Sequence, residues 1–177
     1  MKKRAMAVAA GLLALGLAAE ATAEEGTVQA MSPWQAQGEA YLVAPGKLLF
    51  QGKFEGILYL EKGEGTLDAA LLLCPGTQTV DLKSGSSEAR GHCIMTSARG
   101  EMVFSEWKCS GAAGRGCVGE LRLTGGTGPF EGISGSGEMV VRTALTGMAA
   151  DLRSGEVVRG AAGLVMWPKL TYRIPSR

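Results

Sequence analysis

The chain has 177 residues, with 18 basic and 17 acidic side chains, one histidine, four cysteines and 27 glycines. A formal charge of +1 leaves no basic surplus to hold a phosphate backbone, which argues against nucleic acid as a partner. The length suits one ordinary domain with a core of its own.

In chain order, Lys2, Lys3 and Arg4 come first, then an apolar run from Met6 to Ala19, then the small-residue site Ala21-Thr22-Ala23. Residues 1–23 therefore read as a cleaved signal peptide, with the mature protein starting near Glu24. The apolar run falls short of the roughly 20 residues that cross a bilayer, and no other segment is long enough, so no membrane span is expected. Taking Lys2, Lys3, Arg4 and Glu20 from the totals leaves 15 basic and 16 acidic residues in the exported part. Residues 24–37 read as a loose leader, and residues 38–177 as one domain.

That domain alternates β-branched and apolar runs with glycine-containing breaks, and no long stretch keeps a helical period. Strands are expected at Glu39 to Ala44, Leu48 to Glu61, Thr66 to Cys74, Thr77 to Leu82, Glu88 to Ser97, Glu101 to Cys109, Cys117 to Thr124, Glu138 to Thr146 and Val157 to Ile174. Turns are expected at Lys62 to Gly65, Pro75-Gly76, Ser84 to Ser86, Arg99-Gly100, Ser110 to Gly116 and Ser154-Gly155. The spacing predicts an all-β domain, a meandering antiparallel sheet closed as a barrel or folded as a sandwich.

Between two of those strands runs Gly125-Gly126-Thr127-Gly128-Pro129-Phe130-Glu131-Gly132-Ile133-Ser134-Gly135-Ser136-Gly137. Gly125, Gly126, Gly128, Gly132 and Gly135 give it backbone freedom, while Phe130 and Ile133 offer apolar anchors, so it reads as a tight structural connection. It has neither a dinucleotide nor a P-loop glycine spacing, and no Gly-x-Ser-x-Gly elbow. No cofactor is implied.

Cys74, Cys93, Cys109 and Cys117 are even in number and belong to the exported part, so disulfides are expected. Cys109 and Cys117 close a short loop between adjacent strands, which leaves Cys74 to pair with Cys93. No metal site is expected, because there is no Cys-x-x-Cys pair and the single His92 sits beside Cys93 in a strand. If Cys109 lies opposite Cys117, then Val103, Ser105, Trp107, Gly119, Leu121 and Leu123 share the cysteine face. Glu106 would then face Glu120 on the other side, with Lys108 and Arg122 diagonal to them. Glu106 and Glu120 are thus the candidates for an acid/base pair, against the simpler reading of a solvated charge ladder. Trp107, Trp167 and Tyr172 are the candidates for lining a ligand cavity.

The runs Gly91 to Thr96, Gly100 to Phe104, Glu106 to Cys109, Cys117 to Gly119 and, above all, Gly125 to Gly135 resemble exported bacterial proteins of the allene oxide cyclase barrel-like group. The resemblance spans about Leu48 to Tyr172. It implies a single antiparallel, calycin-like barrel of about eight strands, similar to dirigent proteins. Such barrels hold an apolar molecule in the lumen and guide its cyclisation or coupling with little covalent chemistry. It also implies a periplasmic or secreted location, a hydrophobic small molecule as partner, and association into a homo-oligomer. The function expected is binding of an apolar small molecule or a non-catalytic interaction module, with a lumenal cyclase or isomerase as the alternative. Lumen polarity separates the two, since an enzyme of this kind needs a desolvated Glu, Asp or Tyr pointing inward.

Overall fold

The computed structural model describes residues 23–61, 67–144 and 157–176. Residues 1–22 of the expected signal peptide, the expected turns at Lys62 to Gly65 and Ser154-Gly155, and the ends of two expected strands at Thr66, Leu145 and Thr146 lie outside them. Eight strands run in sequence: β1 (Glu24–Ala44), β2 (Lys47–Glu61), β3 (Leu67–Asp81), β4 (Ser86–Ser97), β5 (Met102–Ala112), β6 (Gly116–Gly126), β7 (Gly135–Ala144) and β8 (Val157–Ile174). Each pairs antiparallel with its sequence neighbours, and β8 returns to β1, so the sheet closes into an eight-stranded barrel. Closure leaves no strand edge exposed. Among the described residues no helix is long and apolar enough to cross a membrane.

The expected leader is overturned. Residues 24–37 form the first two thirds of β1, paired with β2 on one side and β8 on the other. Ala30, Ser32, Trp34 and Ala36 point inward and are buried, while Met31, Pro33, Gln35 and Gln37 point outward. The alternation is complete, but small inward residues make it faint in sequence.

The expected break at Pro75-Gly76 is also absent, because β3 runs straight through it. The β3–β4 rungs reach Leu73–Ile94 and resume at Gly76–Gly91, and the interval contains Pro75, which has no N–H to donate. The Cys74–Cys93 disulfide falls in this interval and ties the two strands where the ladder is weakest.

The glycine-rich connection is shorter than expected. Gly125 and Gly126 finish β6, Gly128–Phe130 make one 3-10 turn, and Gly135 opens β7. Gly128 (φ 56°) and Gly132 (φ 74°) adopt left-handed backbone that a side chain would strain. Ile133 from this connection is buried, with Phe130 packed beside it, so the segment caps one end of the barrel. The other end carries the turns β1–β2, β3–β4 and β5–β6, cross-linked by backbone bonds from Leu82 to Gly46 and from Ala113 to Gly85.

One rung of the ladder shapes the interior. Gly38 pairs with Gly52, Gly52 with Gly76, Gly76 with Gly91, and Gly91 with Trp107. The Trp107 ring lies where a Cβ on Gly76 or Gly91 would be, 2.7 and 2.9 Å from its Cζ2. Gly38 and Gly52 make the same room for the Phe50 ring, whose Cε2 and Cζ lie 2.7 and 2.6 Å from where their Cβ atoms would be, so four strands give up side chains to two rings.

Candidate functional site

Both disulfides form as expected, Cys74 with Cys93 and Cys109 with Cys117. The β5–β6 register differs by two residues from the one expected. Cys117 lies opposite Gly111 and Cys109 opposite Gly119, so this disulfide crosses the ladder diagonally. A two-residue slip keeps every side chain on its face, and the face assignments therefore stand. Ser105, Trp107, Cys109, Leu121 and Leu123 are buried inside, while Glu106, Lys108, Glu120 and Arg122 are exposed outside.

The slip does separate the carboxylates. Glu106 faces Arg122, which donates from Nη2 to Glu106 Oε2 at 2.7 Å, and Glu120 faces Lys108. The Arg122 hydrogen bond, then its charge, holds the Glu106 carboxyl below its ordinary range. His92 is exposed beside it and faces Glu106 across β4–β5. These residues border an outer groove floored by Gly52, Gly76 and Gly91. Nothing brings Glu106 and Glu120 together as a pair.

The enclosed site is the lumen, a chamber of about 120 Å³. Alternation in β1, β2, β5 and β8 brings Trp34, Phe50, Phe54, Trp107 and Trp167 to its wall, with both disulfides. Phe54 is the hub of the aromatic set. It meets Trp34 edge-on at 5.4 Å and Trp107 edge-on at 5.9 Å, with Phe50 tilted against it at 5.9 Å. Such contacts hold the rings in fixed orientations and keep the wall preformed. Towards the turn end the lining changes to Gln78, Ala112, Gly114, Gly116 and Thr143, which form the mouth. Apart from the disulfide cysteines, no described lining residue is ionisable. Among the described residues no group of three His, Cys, Asp or Glu side chains is placed to hold a metal ion.

Of the three aromatic candidates, Trp107 and Trp167 line the chamber and Tyr172 does not. The β1–β8 register shifts between Val28 and Ala30, opposite the stretch containing Pro168, so β8 carries an extra residue there. Beyond it Tyr172 sits against Gly26 and donates to Glu24 Oε1 at 3.0 Å, near the capped end. Sequence reasoning missed Trp34, Phe50 and Phe54. Their even spacing within alternating runs was the available signal.

The outer wall is charged over β4–β6 and carries a group of apolar side chains on β1–β3 and their neighbours. Met31 pairs with Tyr59 and Met166, Ile57 with Leu71, and Leu73 with Ile94, all facing outward. Leu71 is 65% exposed, the most of any large apolar side chain described.

No protein-family model and no curated protein matches the chain. Among solved structures it is similar to that of a pterocarpan synthase dirigent protein, at 10% sequence identity and a TM-score of 0.38, covering 96% of this chain and 100% of that one.

Proposed function

We propose that this protein is an exported barrel, periplasmic or secreted, that holds a small apolar molecule in its lumen without covalent chemistry. One observation carries the reading: a preformed chamber walled by five aromatic side chains and two disulfides, with no ionisable acid or base and no free thiol among its described lining residues. Apolar surface removed from water supplies the driving force, at roughly 25 cal/mol per Å². A lumenal cyclase would need a carboxylate or tyrosine at the chamber wall, whereas Glu106 and Glu120 lie on the outside and Tyr172 lies off the chamber, near the capped end. The resemblance of Gly125 to Gly135 to the allene oxide cyclase barrel-like group supports lumenal binding too. Self-association belongs to the same reading, through the outward apolar residues of β1, β2 and β3, which include Met31, Ile57 and Leu71.

Native mass spectrometry of protein purified from its own host tests the proposal. The expected result is a neutral adduct that is released on unfolding. Protein that carries no adduct and gains no thermal stability from benzene-sized apolar compounds would overturn it.

A further inference from the structure

The depth of the chamber offers a guest no hydrogen bond from a side chain. Trp107 gives its indole N–H to the His92 carbonyl at 3.4 Å, and the indole nitrogens of Trp34 and Trp167 are buried out of reach of the open space. Below the mouth the other described lining side chains are hydrocarbon or sulfur. A polar group pushed to that depth would lose its water and gain nothing in return.

Size decides where the polar part of a guest can lie. An apolar cavity of about 150 Å³ takes up benzene, whereas drug-sized ligands need about 300 Å³ or more. At about 120 Å³ this chamber is filled by one ring. A substituent on that ring must lie towards the mouth, because Leu121, Leu123, Ile133 and Leu170 close the other end.

Two polar side chains stand at that mouth. Gln78 lies on the inward face of β3, in step with buried Leu72, Cys74 and Val80, and Thr143 on the inward face of β7, in step with Met139 and Val141. In the closed eight-stranded ring β3 and β7 are four strands apart, so the amide and the hydroxyl stand on opposite sides of the opening. No other amide or hydroxyl side chain occurs among the described lining residues. Both residues are half-buried, and neither side chain has a hydrogen-bond partner among the described residues. Polar groups turned into an apolar space carry a cost unless something pairs with them. Methionine at position 78 and valine at 143 would line the same space without that cost.

Resting on the lumenal-binding reading above, we infer that the guest is a neutral single-ring molecule with one polar end, seated ring first, whose hydroxyl, carbonyl or amide group is held at the mouth by Gln78 and Thr143. Both side chains donate and accept, so each of those groups can be paired there. A charged end would meet no counter-charge among the described lining residues.

Ethylbenzene, benzyl alcohol and benzylamine test this, being nearly the same shape and ending in a methyl, a hydroxyl and, at neutral pH, an ammonium group. Binding is measured by calorimetry at neutral pH, and the quantity read is the ratio of the ethylbenzene and benzyl alcohol dissociation constants, because a ratio compared between proteins cancels what each compound loses on leaving water. Gln78→Met and Thr143→Val each remove one polar group at nearly constant shape. At least one should shift the ratio about three- to tenfold towards ethylbenzene, the loss expected of one hydrogen bond, while ethylbenzene still binds. Benzylamine should bind wild type at least about tenfold more weakly than benzyl alcohol. If either variant fails to fold by circular dichroism, the other decides. A ratio that stays within about twofold of wild type in every folded variant, or benzylamine bound as tightly as benzyl alcohol, overturns this inference and leaves lumenal binding standing. Binding of none of the three compounds overturns lumenal binding itself.

Discussion

Gly91→Ala isolates what the glycine rung does. The new Cβ would lie 2.3 Å from the Pro75 carbonyl oxygen, 2.8 Å from Gly76 Cα and 2.9 Å from Trp107 Cζ2. Trp107 borders open space and can tilt, but the first two obstacles are backbone atoms of β3. Relief requires β3 and β4 to move apart by about 1 Å, and the nearby Cys74–Cys93 disulfide resists that. Overpacking costs about 1–3 kcal/mol, and the stiff surroundings put this site in the upper half of the range. At about 2–4 °C per kcal/mol for a chain of this size, the melting temperature should fall by roughly 4–12 °C. Gly85→Ala is the control, because Gly85 has φ of 71° and nothing within 4 Å of an added Cβ. It reports the left-handed backbone cost alone, about 1–2 kcal/mol. Both replacements stiffen the unfolded chain equally, so the comparison is free of that contribution. The assay is urea unfolding of the oxidised protein with near-ultraviolet circular dichroism to follow the tryptophans. If Gly91→Ala proves as stable as wild type, or changes the tryptophan signal no more than Gly85→Ala does, the packing argument is wrong.

Gly128→Val and Gly132→Val should each destabilise by at least about 1–2 kcal/mol, because both glycines hold left-handed backbone; an unchanged melting temperature with lost guest binding would instead make the capping segment functional. Replacing Cys109 and Cys117 by alanine should cost about 2.5 kcal/mol and Cys74 with Cys93 about 3 kcal/mol, from loops separated by 8 and 19 residues; denaturant midpoints that order the other way would show that loop closure is not what these bonds contribute. Glu106→Gln and Glu120→Gln should leave guest binding unchanged and melting temperature nearly so at neutral pH, Glu106→Gln losing only the small contribution of an exposed ion pair with Arg122, and loss of turnover of a cyclisable substrate in a folded variant would revive the enzyme alternative. Asp81, Glu101 and Glu106 all have folded pKa values below their unfolded ones, so their contribution is complete above the ordinary carboxylate range and is lost as pH falls through the lowered values; an acid titration in which stability rises below pH ~4 would contradict that sign. The proposed self-association requires the wild-type protein to sediment as more than one chain and Leu71→Glu to sediment as one; a monomeric wild type would overturn it, and an oligomer unaltered by the substitution would place the interface elsewhere.

How far the fold was legible depended on side-chain size. The strands from Glu88 to Thr124 were clear because Cys93, Met95, Trp107, Leu121 and Leu123 make a strong apolar alternation. β1 has the same period, but Ala30, Ser32, Ala36 and Ala40 carry little apolar signal, and residues 24–37 read as a leader. Pro75-Gly76 has the chemistry of a turn, and only tertiary pairing keeps the chain extended there. The hairpin faces were readable and the rung was not, because a disulfide can join diagonal as well as directly opposite positions. Tyr172 was misplaced for a related reason. An extra residue in β8 near Pro168 shifts the parity, so Trp167 and Tyr172 both face inward despite their odd separation, at different depths of the barrel.

The emptiness of the lumen is built in along the barrel axis. At the capped end Leu121, Leu123, Leu170 and Ile133 are each buried to 6% exposure or less, and close packing there leaves no room. In the middle the glycine rung admits Trp107 flat against the wall, beside the Phe54 cluster. Towards the turns the inward side chains of β4 and β8 shrink to Ala89 and Ala161, too small to meet across the barrel, and Ala112, Gly114 and Gly116 make the rim. A barrel of eight strands can be filled by side chains, and this one is filled from one end only. Filling the mouth would take no change of fold. Ala89→Leu and Ala161→Leu project into the chamber from β4 and β8, and if the space has no ligand to serve they should stabilise the protein by burying new apolar surface. If the chamber is a binding site, the same substitutions should abolish uptake of ethylbenzene while the barrel remains folded. Retention of full affinity in both variants would place the guest outside the lumen.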